Sequence, residues 1–301
     1  MSFSSEAKKE IAADLPDKLC CRTAQAYGLL QGGHAFSEKE ISLQTELEPV
    51  AGLYARLVSR VCGIPRPPLS TLQRRTTLHQ CRIQDPQERL TVLDKFGHSP
   101  REVSLRLNRA NLDCEACARA YLRGAFLSCG AVTDPEHDYH LEFSTPHYNY
   151  SRDLVTLLRE WDFPAKVTTR GGSYIVYIKE SERIEDCLTF LGATMASLEL
   201  MGVKMVKSIR NDTNRRLNFE SANIDKTVQA AGAQRDALQK IENTCGLDAL
   251  PEELQEVAKL RLEHPEMSLR ELGDTLGLSR SGVNHRLKRI LQFAEELTKN
   301  D

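Results

Sequence analysis

Apolar residues along the chain recur first at helical and then at strand spacing, and the whole succession occurs twice. Ala24-Gln-Ala-Tyr-Gly28-Leu-Leu-Gln-Gly-Gly-His-Ala and Ala120-Tyr-Leu-Arg-Gly124-Ala-Phe-Leu-Ser-Cys-Gly-Ala share one small-residue pattern, with Gly28 and Gly124 standing 96 positions apart. After the second copy, His140–Thr145 alternates as a strand does. Pro146 then opens a helix over Tyr148–Trp161, with Leu154, Leu157, Leu158 and Trp161 at helical spacing. Lys166–Arg170 and Tyr174–Lys179 flank Gly171-Gly172, a hairpin signal, and Glu182–Leu191 reads as an amphipathic helix. The first copy runs the same way. It predicts a strand at Ile41–Glu46, a helix from Pro49 to about Val61, strands near Leu69–Arg75 and Leu78–Gln84, and a helix from Pro86. Each unit is therefore helix–ββ–helix–ββ–helix, and two in tandem imply a pseudo-twofold pair of α+β lobes.

These lobes are placed at 1–98 and 110–202, with a polar link about Lys95–Arg109 that contains Ser99-Pro100. A linker with helical segments follows at 203–248, and an all-α domain at 249–298. In that last domain Pro251 takes the first position of a helix whose apolar face is Leu254, Val257, Ala258 and Leu262, and His264-Pro265 ends it. Ser268 with Glu271 forms a capping box for a short helix carrying Leu269, Leu272 and Leu276. Gly277-Leu278-Ser279 makes a turn. Ser279 caps a longer helix with Val283, Leu287, Ile290 and Leu291 on its inner side. Short helix, glycine turn, longer helix is the helix-turn-helix order.

Charge placement sharpens this. The net charge of −2 argues for no partner class, so distribution decides. Ser279–Gln292 holds Arg280, Arg286, Lys288 and Arg289 with no acid, whereas Pro251–Glu266 holds five Glu against Lys259 and Arg261. With 283, 287 and 290 turned inward, 281, 284, 285 and 288 point out. Arg280, Ser281, Asn284 and His285 are thus expected at base edges or the adjacent backbone, Lys288 and Arg289 mostly at phosphates, and Ser279 and Arg286 belong to the same DNA-binding set.

Tyr121-Leu-Arg-Gly-Ala-Phe-Leu-Ser-Cys-Gly130 resembles the LAGLIDADG helix of homing endonucleases, and Tyr27–His34 resembles a weaker copy. The C-terminal module is similar to the promoter-reading helix-turn-helix of sigma factors. With Ser2-Phe-Ser-Ser-Glu-Ala-Lys-Lys-Glu10 and Asn214-Arg-Arg-Leu-Asn-Phe-Glu-Ser-Ala-Asn-Ile-Asp-Lys-Thr, the resemblance is to the WhiA family over nearly the whole chain. It implies tandem LAGLIDADG-like lobes followed by a DNA-binding domain. It also implies a regulator tied to cell division, chromosome segregation or sporulation in Gram-positive bacteria. Gly28 and Gly124 match the positions where the two motif helices pack closely.

An endonuclease of that type needs a carboxylate at the end of each motif helix to hold divalent metal. Those positions fall on Gly33 and Cys129, while Asp134 and Glu136 lie beyond the helix. A glycine and a thiol do not replace hard oxygen ligands, so no catalytic residue and no nuclease activity are expected. No cofactor is expected either. Cys114 and Cys117 form a lone Cys-x-x-Cys; the only other close pair, Cys20-Cys21, is adjacent and is expected not to turn both sulfurs to one metal. Metal binding is therefore not expected, and the nine cysteines read as reduced thiols of a cytoplasmic, nucleoid-associated protein. No run is long enough to span a membrane.

From Pro49 to Gln84 there are six Arg and no acid, and Arg74, Arg75 and Arg82 sit on or beside a hairpin. They are a secondary phosphate contact or a solvated face. The reading favours a sequence-specific regulator of promoter DNA, expected to be a monomer because the internal twofold removes one reason to dimerise. The alternative is a protein-interaction platform acting on RNA polymerase or a co-regulator.

Overall fold

The computed structural model describes residues 2–73 and 76–299. Helix α1 (Phe3–Ala13), capped by Ser2, precedes two lobes of the same order. The first comprises α2 (Leu19–Gln31), β1 (Ala35–Phe36), β2 (Ile41–Thr45), α3 (Glu48–Cys62), β3 (Leu69–Gln73), β4 (Thr77–Arg82) and α4 (Pro86–Lys95). The second comprises α5 (Glu115–Cys129), β5 (Gly130–Val132), β6 (Leu141–Thr145), α6 (Tyr148–Glu160), β7 (Lys166–Arg170), β8 (Ser173–Ile178) and α7 (Ser181–Leu191). Each lobe holds a four-stranded antiparallel sheet, ordered β1-β2-β4-β3 and β5-β6-β8-β7. The β7–β8 turn needs two left-handed residues, and Gly171 and Gly172 supply them with φ of 56° and 82°. The architecture is α+β with tandem LAGLIDADG-like lobes.

Amphipathic helices close one face of each sheet. Val50, Leu53, Tyr54, Leu57 and Val58 of α3 are buried, as are Tyr150, Leu154, Leu157 and Leu158 of α6. One core runs without a break from Phe3 to Leu200 and includes the inward side chains of both lobes. The outer strand β3 stays largely exposed, so the sheet surface opposite α3 is uncovered there. The link between the lobes is irregular but anchored, with Leu105 and Leu107 buried and the Asp153 carboxylate accepting from Arg106 and from the Leu107 amide.

The chain divides into two compact units, Met1–Lys207 and Ser208–Asp301, and the division falls within a single helix, α8 (Thr194–Thr244). The linker expected at 203–248 with helical segments is one continuous helix as far as Thr244. No proline occurs between Pro164 and Pro251 to interrupt it. Ser208 to Ala230 are all exposed, including the large apolar residues Ile209, Leu217, Phe219, Ile224 and Val228. Buried positions return only at Gln234, Leu238 and Ile241, at i, i+4 and i+7.

Those residues belong to the core of the second unit, together with α9 (Glu252–Glu263), α10 (Leu269–Leu276) and α11 (Arg280–Lys299). Leu254, Val257, Leu272, Val283, Leu287 and Ile290 complete it. Buried Arg261 donates to Gln234 at 3.0 Å and to the Met267 carbonyl, fastening α9 to the end of α8 and to the α9–α10 turn. Pro251 is the residue before α9, one position earlier than the sequence pattern suggests. Among the described residues no helix is long and apolar enough to cross a membrane.

Candidate nucleic-acid interface

The motif helices α2 and α5 pack side by side at backbone contact. A Cβ on Gly28 would lie 2.1 Å from the Tyr121 carbonyl oxygen and 2.8 Å from the Ala125 nitrogen. A Cβ on Gly124 would lie 2.1 Å from the Gln25 carbonyl oxygen and 2.8 Å from the Leu29 nitrogen. Partners 25 and 121, 28 and 124, and 29 and 125 all differ by 96 positions, so the contact is a local twofold. Only glycine fits either place.

At the far end of this pair stand the two positions where a nuclease would carry acids. A Cβ on Gly33 would meet the Ser42 carbonyl oxygen at 2.7 Å. The Cys129 thiol donates to the Ala125 carbonyl at 3.2 Å, and burial pushes its pKa up to about 12. Beside it, half-buried Lys8 lies 5.9 Å from the Phe126 ring centroid, and burial lowers its ammonium to about 8 against the opposing pull of the Glu46 carboxylate. Asp134 and Glu136 sit in the turn after β5, where Asp134 accepts from the Glu136 amide at 2.9 Å. Glu40 accepts from Ser42 at 2.8 Å.

In the second unit the turn between α10 and α11 follows from two glycines. Gly277 ends α10 at φ 66°, and Gly273 lets the Leu278 carbonyl approach to 2.6 Å of where a Cβ would be. The capping box is complete: Ser268 accepts from the Glu271 amide at 3.3 Å and Glu271 accepts from the Ser268 amide at 2.7 Å. Ser279 accepts from the Gly282 amide at 3.1 Å and so opens α11. With Val283, Leu287, Ile290 and Ala294 buried, Arg280, Ser281, His285 and Lys288 are exposed, and Asn284, Arg286 and Arg289 are half-buried. Arg280 and Asn284 border a polar hollow of about 520 Å³ shared with Lys226, Thr227, Gln234 and Arg261. Arg289 donates to Glu253 of α9.

Residues 118–210 match the WhiA LAGLIDADG-like domain and residues 213–294 match the WhiA C-terminal HTH domain. A protein of Alkaliphilus oremlandii named "Probable cell division protein WhiA" is 37% identical over 99% of this chain and 98% of its own length. One of the same name from Desulfitobacterium hafniense (strain Y51) is 38% identical over 99% of this chain and 96% of its own length. The chain belongs to the WhiA family. The crystal structure of full-length DUF199/WhiA from Thermatoga maritima has the same fold, with a TM-score of 0.59, 24% identity, and coverage of 98% of this chain and 99% of that one.

In this WhiA-family chain the structure describes only part of the arginine-rich run of the first lobe. Arg74 and Arg75 lie outside the described residues. Arg82, at the end of β4, is 3.8 Å from Glu40. Arg56, Arg60 and Arg66 instead line a groove of about 540 Å³ along α3 with Arg22, Leu15 and Leu53.

The cysteines depart from the sequence reading. Cys20 and Cys21, expected not to turn both sulfurs to one metal, stand with Cys114 and Cys117 in a single cluster whose Sγ atoms all lie within 4.8 Å of one another. The first turn of α2 splays its neighbours enough to bring both thiols to the start of α5. A signal for this was present in the repeat, since the 96-residue offset of Gly28 and Gly124 also maps Cys21 onto Cys117.

Proposed function

We propose that this chain is a sequence-specific regulator that binds double-stranded promoter DNA and does not cut it. The supporting observation is the outward face of α11. It presents Arg280, Ser281, His285 and Lys288 to solvent on a helix-turn-helix scaffold, with no acid between Ser279 and Gln292. Residues early on such a helix reach base edges, so Ser279, Arg280, Ser281, Asn284 and His285 read sequence or fix the adjacent backbone. Arg286 and Lys288 contact phosphate, and Arg289 joins them when it leaves Glu253. Arg82, with Arg74 and Arg75, adds a secondary phosphate contact from the first lobe.

Catalysis is absent in this reading because Gly33 and Cys129 provide no carboxylate pair for hydrolytic metal. The relatives' name, cell division protein, supports target genes in cell division; chromosome segregation or sporulation, and a place on the nucleoid, extend the same reading of a DNA-bound regulator. A monomer acting with RNA polymerase or a co-regulator fits an internally twofold chain.

Selection of bound fragments from a sheared bacterial genome by the full-length chain, followed by titration on the recovered and on random duplexes, tests this. The recovered sequences should bind at least a hundredfold more tightly at physiological salt. Equal affinity for both would contradict promoter reading and leave the chain as a protein-interaction platform.

A further inference from the structure

We propose that Cys20, Cys21, Cys114 and Cys117 together hold one structural zinc ion that fastens the two motif helices at their N-terminal ends. Four sulfurs held about 2.3 Å from one ion at tetrahedral angles stand about 3.8 Å apart. The cluster already has that size. Cys114 lies 3.8 Å from Cys20, 3.7 Å from Cys21 and 3.5 Å from Cys117, and Cys117 lies 3.9 Å from Cys21. A four-iron cluster spreads its thiolates around a larger body than a single ion does, so these spacings favour one metal centre.

The donor set selects the metal class. Four soft thiolates suit zinc and exclude magnesium and calcium, which take oxygen ligands. All four corners come from protein, leaving no open position for water or substrate, so the ion is structural rather than catalytic. Cys21 and Cys117 are buried and Cys20 and Cys114 half-buried, as a closed site requires. Cys20 and Cys21 lie in the first turn of α2, and Cys114 and Cys117 at the cap and first turn of α5. The positive ends of both helix dipoles therefore meet the thiolates. Lys18 and Arg119 line the same hollow as Cys21 and offset the net negative charge of a tetrathiolate site. Loading releases the thiol protons to solvent.

Position gives the ion its role. Cys21 and Cys117 are related by the local twofold, so the site lies at one end of the helix pair whose middle is the Gly28–Gly124 contact. It joins residues of the first lobe to residues of the second through the interface that defines their arrangement.

The test uses full-length untagged chain purified in reducing buffer from zinc-supplemented cells. Elemental analysis should find one zinc per chain, less than a tenth of that in the Cys20→Ser/Cys114→Ser variant, and a full ion in Cys245→Ser, which lies outside the cluster. Chelation should lower the melting temperature and added zinc should restore it. Because the double variant can lose metal by misfolding, cobalt is also titrated into reduced, metal-stripped parent chain. The intense visible bands of tetrathiolate cobalt should saturate at one equivalent and vanish when zinc is added. Reduced parent chain with neither zinc nor a cobalt–thiolate spectrum would overturn the proposal. So would iron with sulfide in the purified protein, or zinc retained in the double variant.

Discussion

Arg289 of α11 donates to the carboxylate of Glu253 in α9, so one basic residue of the helix proposed to meet DNA is held by an acid of its own domain. Both side chains are substantially exposed, and a surface pair of this kind contributes about 0–1 kcal/mol to stability. Replacing Glu253 by Gln should therefore leave melting nearly unchanged while freeing Arg289 for phosphate. DNA affinity should rise on all sequences, and the salt slope should steepen by about one unit. Anisotropy titrations at several salt concentrations measure both quantities, and identical curves for parent and variant would mean that Arg289 does not reach DNA.

Glycines in three helices should respond oppositely to substitution. Gly52, in α3, has open space around its missing Cβ, so Gly52→Ala should stabilise the chain by about 0.5–1 kcal/mol through backbone entropy alone. Gly28 and Gly124 face backbone at 2.1 Å, and nothing there can move without parting the helices. Gly124→Leu should cost about 1–3 kcal/mol or more in urea denaturation, outweighing the same entropic gain. A Gly124→Leu chain as stable as the parent would mean that α2 and α5 do not pack at this point.

Purified chain with magnesium or manganese should not cleave DNA of any sequence. Restoring acids by Gly33→Asp and Cys129→Asp should not create cleavage either, because the Ser42 carbonyl stands 2.7 Å from where the Cβ at 33 would be. Metal-dependent cutting by the parent that disappears in Asp134→Ala or Glu136→Ala would contradict the non-catalytic reading.

Lys8 gives a pH signature. Burial lowers its pKa to about 8, below the unfolded value of 10.5, so between those values the unfolded chain binds more protons than the folded one. Its contribution to stability rises with pH across that window, and below pH 8 the folded chain carries the full cost of a desolvated charge. Lys8→Met should stabilise the chain most at pH 7, with the advantage shrinking towards pH 10. Urea midpoints of both chains at pH 7 and pH 9.5 measure this, and an advantage independent of pH would rule out a buried charge at Lys8.

How much of this was legible depends on whether the deciding interaction is local. The Gly171-Gly172 hairpin and the Ser268–Glu271 box are encoded within a few neighbouring residues, the glycine motif was legible because it occurs twice, and the structure contains each of them. Strands β1 and β5 are two and three residues long, too short for alternation to register. The apolar residues in the middle of α8 are widely spaced and exposed, from Ile209 to Val228, and no core packs on them to mark the segment as one helix. The pairing of Arg289 with Glu253 and the meeting of Cys20 and Cys21 with Cys114 and Cys117 join residues 36 and more than 90 positions apart. Such contacts are set by tertiary packing; for the cysteines only the 96-residue repeat, which maps Cys21 onto Cys117, pointed to the partner.

The central claim is that α11 reads DNA, and it is tested most directly by titrating the full-length chain on its preferred duplex and on random duplex over a range of salt. Arg280→Ala with Asn284→Ala should cost about 1–3 kcal/mol on the preferred site and relax sequence choice, because both stand early on the helix. Lys288→Ala with Arg289→Ala should weaken binding to both duplexes alike and reduce the salt slope by about one to two units. The variant with all four substitutions, shown by circular dichroism and melting to be folded, should lose specific binding. If it binds the preferred duplex as tightly as the parent does, α11 is not the reading helix.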